Sequence, residues 1–137
     1  MEKVNVTISW YGKNYCASLA ADMIGGVVVS TNKTLEGVKK SFAEALQFHI
    51  EGRTQDEDVL PEFIRSGEYE LNYIKNTSAL LHSLDGTLTR SAIARATGIN
   101  ERQIGHYASG HRTPRPKQRQ KIIDGIHSIS RELASVV

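Results

Sequence analysis

Thr87–Gly110, TLTRSAIARATGINERQIGHYASG, is the stretch of this 137-residue chain whose spacing implies both a structure and a use. Thr89 stands where a helix N-cap belongs, Ala92, Ile93 and Ala96 form an apolar stripe, and Gly98 supplies the left-handed residue that ends the helix. Asn100 then opens a second helix, with Gln103 placed to reach back as in a capping box. Ile104 and Tyr107 face inward, and Gly110 closes the end. Ala94, four residues before Gly98, is small enough to let the two helices approach, and Ile99 plugs the space beyond the turn. The pattern is helix, turn, helix.

What that packing leaves outside is informative. Glu101, Arg102, Gln103 and, one turn on, His106 are all hydrogen-bonding side chains at the start of the second helix, where base edges of a major groove would lie. Arg102 suits a guanine and Gln103 an adenine. Thr89, Arg90, Arg112, Arg115 and Lys117 are placed to hold phosphates. One such motif spans only a few base pairs, so specific binding to a double-stranded operator calls for a homodimer or a higher homo-oligomer.

Working outward, the charge divides unevenly. Residues 1–75 carry 8 Lys or Arg against 11 Asp or Glu, a net of −3, whereas residues 76–137 carry 9 against 4, a net of +5. A basic half that holds the two-helix pattern suits nucleic acid, and an acidic half would be repelled by phosphate and needs a different partner. The composition shift at about Lys75 sets two domains, 1–75 and 76–137. The expected fold class is α+β: a small antiparallel sheet with one packed helix, followed by an all-α helix-turn-helix domain.

Toward the N-terminus, Val4, Val6, Ile8 and Trp10 alternate with Asn5, Thr7 and Ser9, the period of a strand with one buried face. Tyr11-Gly12-Lys13-Asn14 is a turn, and Tyr15, Ala17 and Leu19 resume the alternation to complete an antiparallel hairpin. Val27-Val28-Val29 reads as a third strand, covered on both faces or central in the sheet. From Thr34, the residues Leu35, Val38, Phe42, Ala45, Leu46 and Ile50 follow helical spacing, with Gly52 just past the last turn. Gln55-Asp56-Glu57-Asp58 reads as a solvated acidic loop, Pro61 starts a helical turn, and Glu68–Ile74 alternates as a last strand.

Toward the C-terminus, Leu80, Leu81 and Leu84 mark a helix before the motif, ended by Asp85-Gly86. His111-Arg112-Thr113-Pro114-Arg115-Pro116-Lys117 cannot continue a helix and is basic where the chain would pass the phosphate backbone. A final helix carries Ile122, Ile126, Ile129, Leu133 and Val136 as its stripe, slightly weakened by Gly125.

Other function classes have little support in the residues. There is no apolar run near roughly 18 residues and the N-terminus alternates, so no membrane association and a cytoplasmic location are expected. The single cysteine, Cys16, excludes an internal disulfide and reads as a packing residue. Metal-dependent hydrolysis needs clustered carboxylates, whereas Asp22 stands alone in a loop and Glu68 and Glu70 lie at an edge. His49 reads as an edge residue, and His106 and His111 lack a third ligand, so neither zinc nor any other cofactor is expected and the chain reads as a non-enzyme.

Two resemblances join these readings. IARATGINERQIGHYASGHRTPRP, residues 93–116, resembles the helix-turn-helix domains of the Cro and phage-repressor (Xre-like) group in its first-helix Ala, turn Gly, polar recognition helix and Gly-basic-x-Pro exit. The N-terminal half resembles the HicB antitoxin domain in its hairpin, its Gly-Gly-Val-Val-Val strand and the segment TLEGVKKSFAEALQFHIEG, residues 34–52. The second resemblance implies a partial RNase H-like domain that binds and blocks a small basic, RNA-cleaving toxin of the HicA type, while the C-terminal domain represses the operon. The alternative is a stand-alone regulator with the same DNA chemistry, whose N-terminal domain dimerises or binds another ligand.

Overall fold

The alternation that begins at Val4 becomes the centre of a four-stranded sheet. The computed structural model of the chain describes residues 1–19 and 24–137, and Asp22 lies outside the described residues. Strands β1 (Glu2–Tyr11), β2 (Asn14–Leu19), β3 (Val28–Asn32) and β4 (Tyr69–Lys75) lie in the order β3-β2-β1-β4. The β1–β2 turn has Gly12 at φ 65°, a left-handed position that glycine occupies without steric cost. Val4, Val6 and Ile8 are fully buried under Val38, Phe42 and Leu46 of α1 (Leu35–Gln55). A short α2 (Glu62–Ser66) precedes β4.

Three expectations for this half are corrected. The sheet is mixed: β1 pairs antiparallel with β2 but parallel with β4, with Val4 opposite Leu71 and Val6 opposite Tyr73. After three up-and-down strands, α1 carries the chain back across one face, so β4 enters alongside β1 in the same direction, as a helical crossover requires. The valine run is an edge rather than a covered centre. Val28 is buried, but Val27 and Val29 are 65% and 53% exposed. Gly52 lies inside α1, which continues to Gln55 and ends with Asp56 as its cap and Glu57 at φ 58°.

The start of α1 is built from short polar contacts. Thr34 Oγ1 accepts from Gly37 N at 3.0 Å, and Asn32 Oδ1 accepts from Thr34 N at 3.1 Å. Both oxygens stand where a side chain at position 37 would begin, at 2.7 and 2.3 Å from a Cβ. Tyr73 lies edge-on to Phe42 at 6.3 Å, donates its hydroxyl to Lys39 O and carries the Lys39 ammonium over its ring. Burial raises the phenol pKa of both Tyr69 and Tyr73 above the usual 10.0.

A second compact unit begins at Thr77, the first being Met1–Asn76. It contains α3 (Thr77–Leu84), α4 (Arg90–Thr97), α5 (Glu101–Ala108) and α6 (Pro116–Ala134), making six helices among the described residues. Its core is Leu81, Ile93, Ile99, Ile104, Tyr107, Ala108 and Ile122, with Leu88, Ala94 and Ile126 packed against it.

Here too the stripes differ from the spacing in detail. Ile93 is buried and Ala94 packs against the core, as expected from their places in α4, while Ala96 of the expected stripe is exposed. On α6 only Ile122 of the stripe is buried; Leu133 and Val136 are 61% and 77% exposed, and Val136 follows the helix end. Gly125 is more than a weak helix former. It is buried against α4, where a Cβ would stand 2.5 Å from Thr97 Cγ2. Thr97 is held in that rotamer by its hydroxyl bond to Ile93 O at 2.8 Å, so the helices cross at the glycine. No helix among the described residues is long and apolar enough to cross a membrane.

Candidate nucleic-acid interface

Two hydrogen-bonded turns set the geometry of α4 and α5. Thr89 Oγ1 accepts from Ala92 N at 3.0 Å, which starts α4, and Gly98 at φ 72° ends it with its N–H on Ala94 O at 2.9 Å. Two residues later Asn100 Oδ1 accepts from Arg102 N at 2.8 Å and Gln103 N at 3.4 Å. These bonds satisfy amides that a helix start leaves unpaired. With Ile104, Tyr107 and Ala108 buried, the first turn of α5 points its remaining side chains outward.

The reciprocal half of the capping box does not form. Gln103 turns away from the cap and donates Nε2–H to the Tyr107 hydroxyl at 2.7 Å. Tyr107 is one helical turn on, the spacing at which side chains on one face meet. Its phenol oxygen accepts from the Gln103 amide, whereas the capping box would have had the Gln103 carbonyl oxygen accept from the Asn100 N–H.

The predicted residues assemble around two adjoining hollows. One, of about 260 Å³, is lined by Asn100, Arg102, Gln103, His106 and Arg112. The other, of about 340 Å³, is lined by Gln103, Tyr107, Arg112, Thr113, Arg115, Lys117 and Gln118. Gln103 and Arg112 belong to both. Arg112 is anchored at this wall by its backbone N–H, which donates to His106 O at 3.3 Å, and the His106 and His111 rings stack 6.2 Å apart. The buried Pro114 holds the exit segment against the unit while Arg112, Arg115 and Lys117 remain exposed.

Electrostatically the wall is open. Among the described residues Arg102, Arg112, Arg115 and Lys117 have no acidic partner. A guanidinium or ammonium in that state can accept no hydrogen bond and is available to an anion.

Other candidates lie apart from the hollows. Arg90 sits 3.7 Å from Asp85 Oδ2 and passes over Gly105, so part of its charge is already met. Thr89 is the α4 cap, and Glu101 is exposed beside Asn100 without lining either hollow. Sequence reasoning did not single out Tyr107, Thr113 or Gln118 as surface groups. Of these, Tyr107 had a signal, its i+4 relation to a polar residue at the edge of the buried face.

A further hollow, of about 600 Å³, lies in the first unit between β3 and α1. Val27, Val29 and Phe48 form its apolar lip, with Phe48 80% exposed. His49 meets Ile24 O at 2.8 Å, and Arg53 bonds Asp58 at 2.8 Å as well as Gly25 O. These polar groups are tied to their own unit. No group of three His, Cys, Asp or Glu suited to a metal ion occurs among the described residues.

Compared with protein-family models, with curated proteins and with solved structures, the chain matches none.

Proposed function

We propose that the chain is a DNA-binding antitoxin and autorepressor of the HicAB kind, whose second unit reads duplex DNA through α5 used as the recognition helix of a helix-turn-helix. The observation that carries this reading is the pair of hollows at α5. Hydrogen-bonding side chains able to address base edges stand beside a row of cations without acidic partners, with Gln103 and Arg112 at the shared wall. Arg102, Gln103 and His106 address the bases, while Arg112, Arg115 and Lys117 lie along the phosphates. The resemblance of residues 93–116 to phage-repressor domains supports the same assignment, and reading two half-sites calls for a homodimer.

The first unit is assigned to a protein partner. It is acidic, its β3 edge carries exposed valines beside Phe48, and a small basic toxin would be drawn to it by charge and could add a strand along β3. The same exposed edge also suits pairing between two copies, which is the feature favouring a stand-alone regulator. Co-expression with a small basic RNA-cleaving protein encoded beside it separates the two: a stable complex supports the antitoxin, and a homodimer indifferent to that protein supports the regulator.

The DNA reading is tested by selecting duplexes from a randomised pool with the full chain and measuring affinity by fluorescence anisotropy. Enrichment of one sequence is expected. Gln103→Ala should relax preference at one base pair, while Arg112→Ala should weaken selected and random duplexes alike and reduce the salt slope by about 0.9. No enrichment, or equal losses from both variants on both duplexes, would contradict the assignment.

A further inference from the structure

The geometry points to Tyr107 as a positioning residue that couples phosphate binding to base reading: its hydroxyl holds Gln103 in place and donates its own proton to a DNA phosphate between Arg112, Arg115 and Lys117. The inference rests on the DNA reading of α5 and adds to it a residue and a specificity.

Tyr107 is 4% exposed, and its ring belongs to the core with Ile104 and Ile122, yet the residue lines the second hollow. Its hydroxyl accepts from Gln103 Nε2 at 2.7 Å, and among the described residues nothing accepts the proton that the hydroxyl itself carries. A buried phenol normally places that proton on an acceptor. The cations that share the hollow cannot supply one, because guanidinium and ammonium groups only donate. Helix α6 also begins beside this hollow with no side-chain cap on its N–H groups. The charges facing the space are therefore all positive. Thr113 and Gln118 bring acceptor oxygens to its lining, but among the described residues neither is bonded to the Tyr107 hydroxyl. An anionic oxygen is the component that meets both the charges and the proton. In a duplex that component is a backbone phosphate.

The Gln103 bond gives this arrangement a consequence for sequence. With one Nε2 hydrogen spent on Tyr107, the amide is fixed and presents its carbonyl oxygen and one remaining N–H to the first hollow. That is the pattern that meets adenine, whose N6 amine donates and whose N7 accepts. A phosphate oxygen on the Tyr107 proton would polarise the hydroxyl and strengthen the bond from Gln103, so backbone contact in the correct register would favour adenine reading.

The experiment compares the full-length wild-type chain with Tyr107→Phe, Gln103→Ala and the double variant, each on the selected duplex, on the duplex with the contacted A·T pair changed to G·C, and on a random duplex. Phenylalanine keeps the ring in the core. Tyr107→Phe is expected to lower affinity for the selected duplex about tenfold and to reduce discrimination at the A·T pair to near the Gln103→Ala level. Because the hydroxyl is neutral, the salt slope should stay at the wild-type value, unlike in Arg112→Ala. In the Gln103→Ala background the second change should weaken all duplexes without further loss of discrimination.

Unchanged discrimination in Tyr107→Phe overturns the coupling, and unchanged discrimination together with unchanged affinity overturns the phosphate contact as well. Wild-type protein that selects no sequence overturns the DNA reading, and this inference with it. A measurement on the unbound wild-type chain tests the tie separately. One of the two Gln103 side-chain amide protons should be protected from solvent exchange, and equal exchange of both overturns the Gln103–Tyr107 bond.

Discussion

The two units treat their charges in opposite ways. In the first, Arg53 is tied to Asp58 and Gly25 O, His49 to Ile24 O, and Lys39 lies over Tyr73, so the polar groups around α1 are largely engaged within the fold. What sets that unit apart is an apolar group left uncovered at a sheet edge, Val27, Val29 and Phe48, within an acidic surface. In the second, apolar side chains meet in one small core, and what remains outside near α5 is a set of cations without acidic partners. An unmet charge seeks a counter-charge, and an unmet strand edge seeks another backbone. One chain thus carries two kinds of incompleteness, which is the physical content of assigning it two partners.

The strongest way to break this comparison is to unfold one unit and ask whether the other still works. Phe42 is fully buried beneath the sheet, so Phe42→Ala should cost the first unit about 3–5 kcal/mol. Thermal melting should then separate into two transitions, with binding of the selected duplex retained below the second. A single shared transition, with duplex binding lost alongside the sheet, would show that the units stand or fall together.

A smaller loss is expected from the converse change. Gly125→Ala places a methyl group 2.5 Å from Thr97 Cγ2, and the overpacking should destabilise the second unit by about 1–3 kcal/mol, weakening duplex binding while the first unit's melt is unaltered. A measured cost below a few tenths would mean that α4 and α6 separate easily.

The smallest effect concerns pH. The Tyr69 and Tyr73 phenols have raised pKa values in the folded state because burial disfavours the phenolate. Between the unperturbed value near 10.0 and the raised one, the unfolded chain has lost protons that the folded chain retains. Their contribution is therefore complete below about pH 10 and is lost as pH rises through the folded values. Urea titrations should show the first unit weakening over that window, and Tyr73→Phe should shrink the decline. A decline of equal size in Tyr73→Phe would assign it to other groups.

Much of this architecture was legible from periodicity, because strands and helices with one buried face print that face into the sequence. The hairpin, the long helix after Thr34 and the caps at Thr89 and Asn100 are of this kind. Alternation carries no direction, however, so β4 could not be told parallel from antiparallel. The Val27–Val29 run was apolar enough for a covered strand, yet only Val28 reaches the core. Gly125 was visible only as a poor helix former, since the need for a missing side chain comes from Thr97 on another helix.

The candidate site divides along the same line. The outward residues of α5 followed from the inward ones. The turn of Gln103 toward Tyr107 did not, because its amide can either accept from the Asn100 N–H or donate to the phenol, and only the packed ring decides between them. The stripe on α6 overran its support: its spacing continues to Val136 while the small core is complete near Ile126.

The sheet packs α1 on one face only, and the other carries Thr7, Thr31, Cys16 and Ser18. Cys16 holds the one thiol in the chain and is half-buried at that surface. The protein therefore comes with a built-in reporter: a thiol-reactive fluorophore attaches at a single atom, without engineered cysteines. A partner that settled across those strands would announce itself as a change in labelling rate or emission.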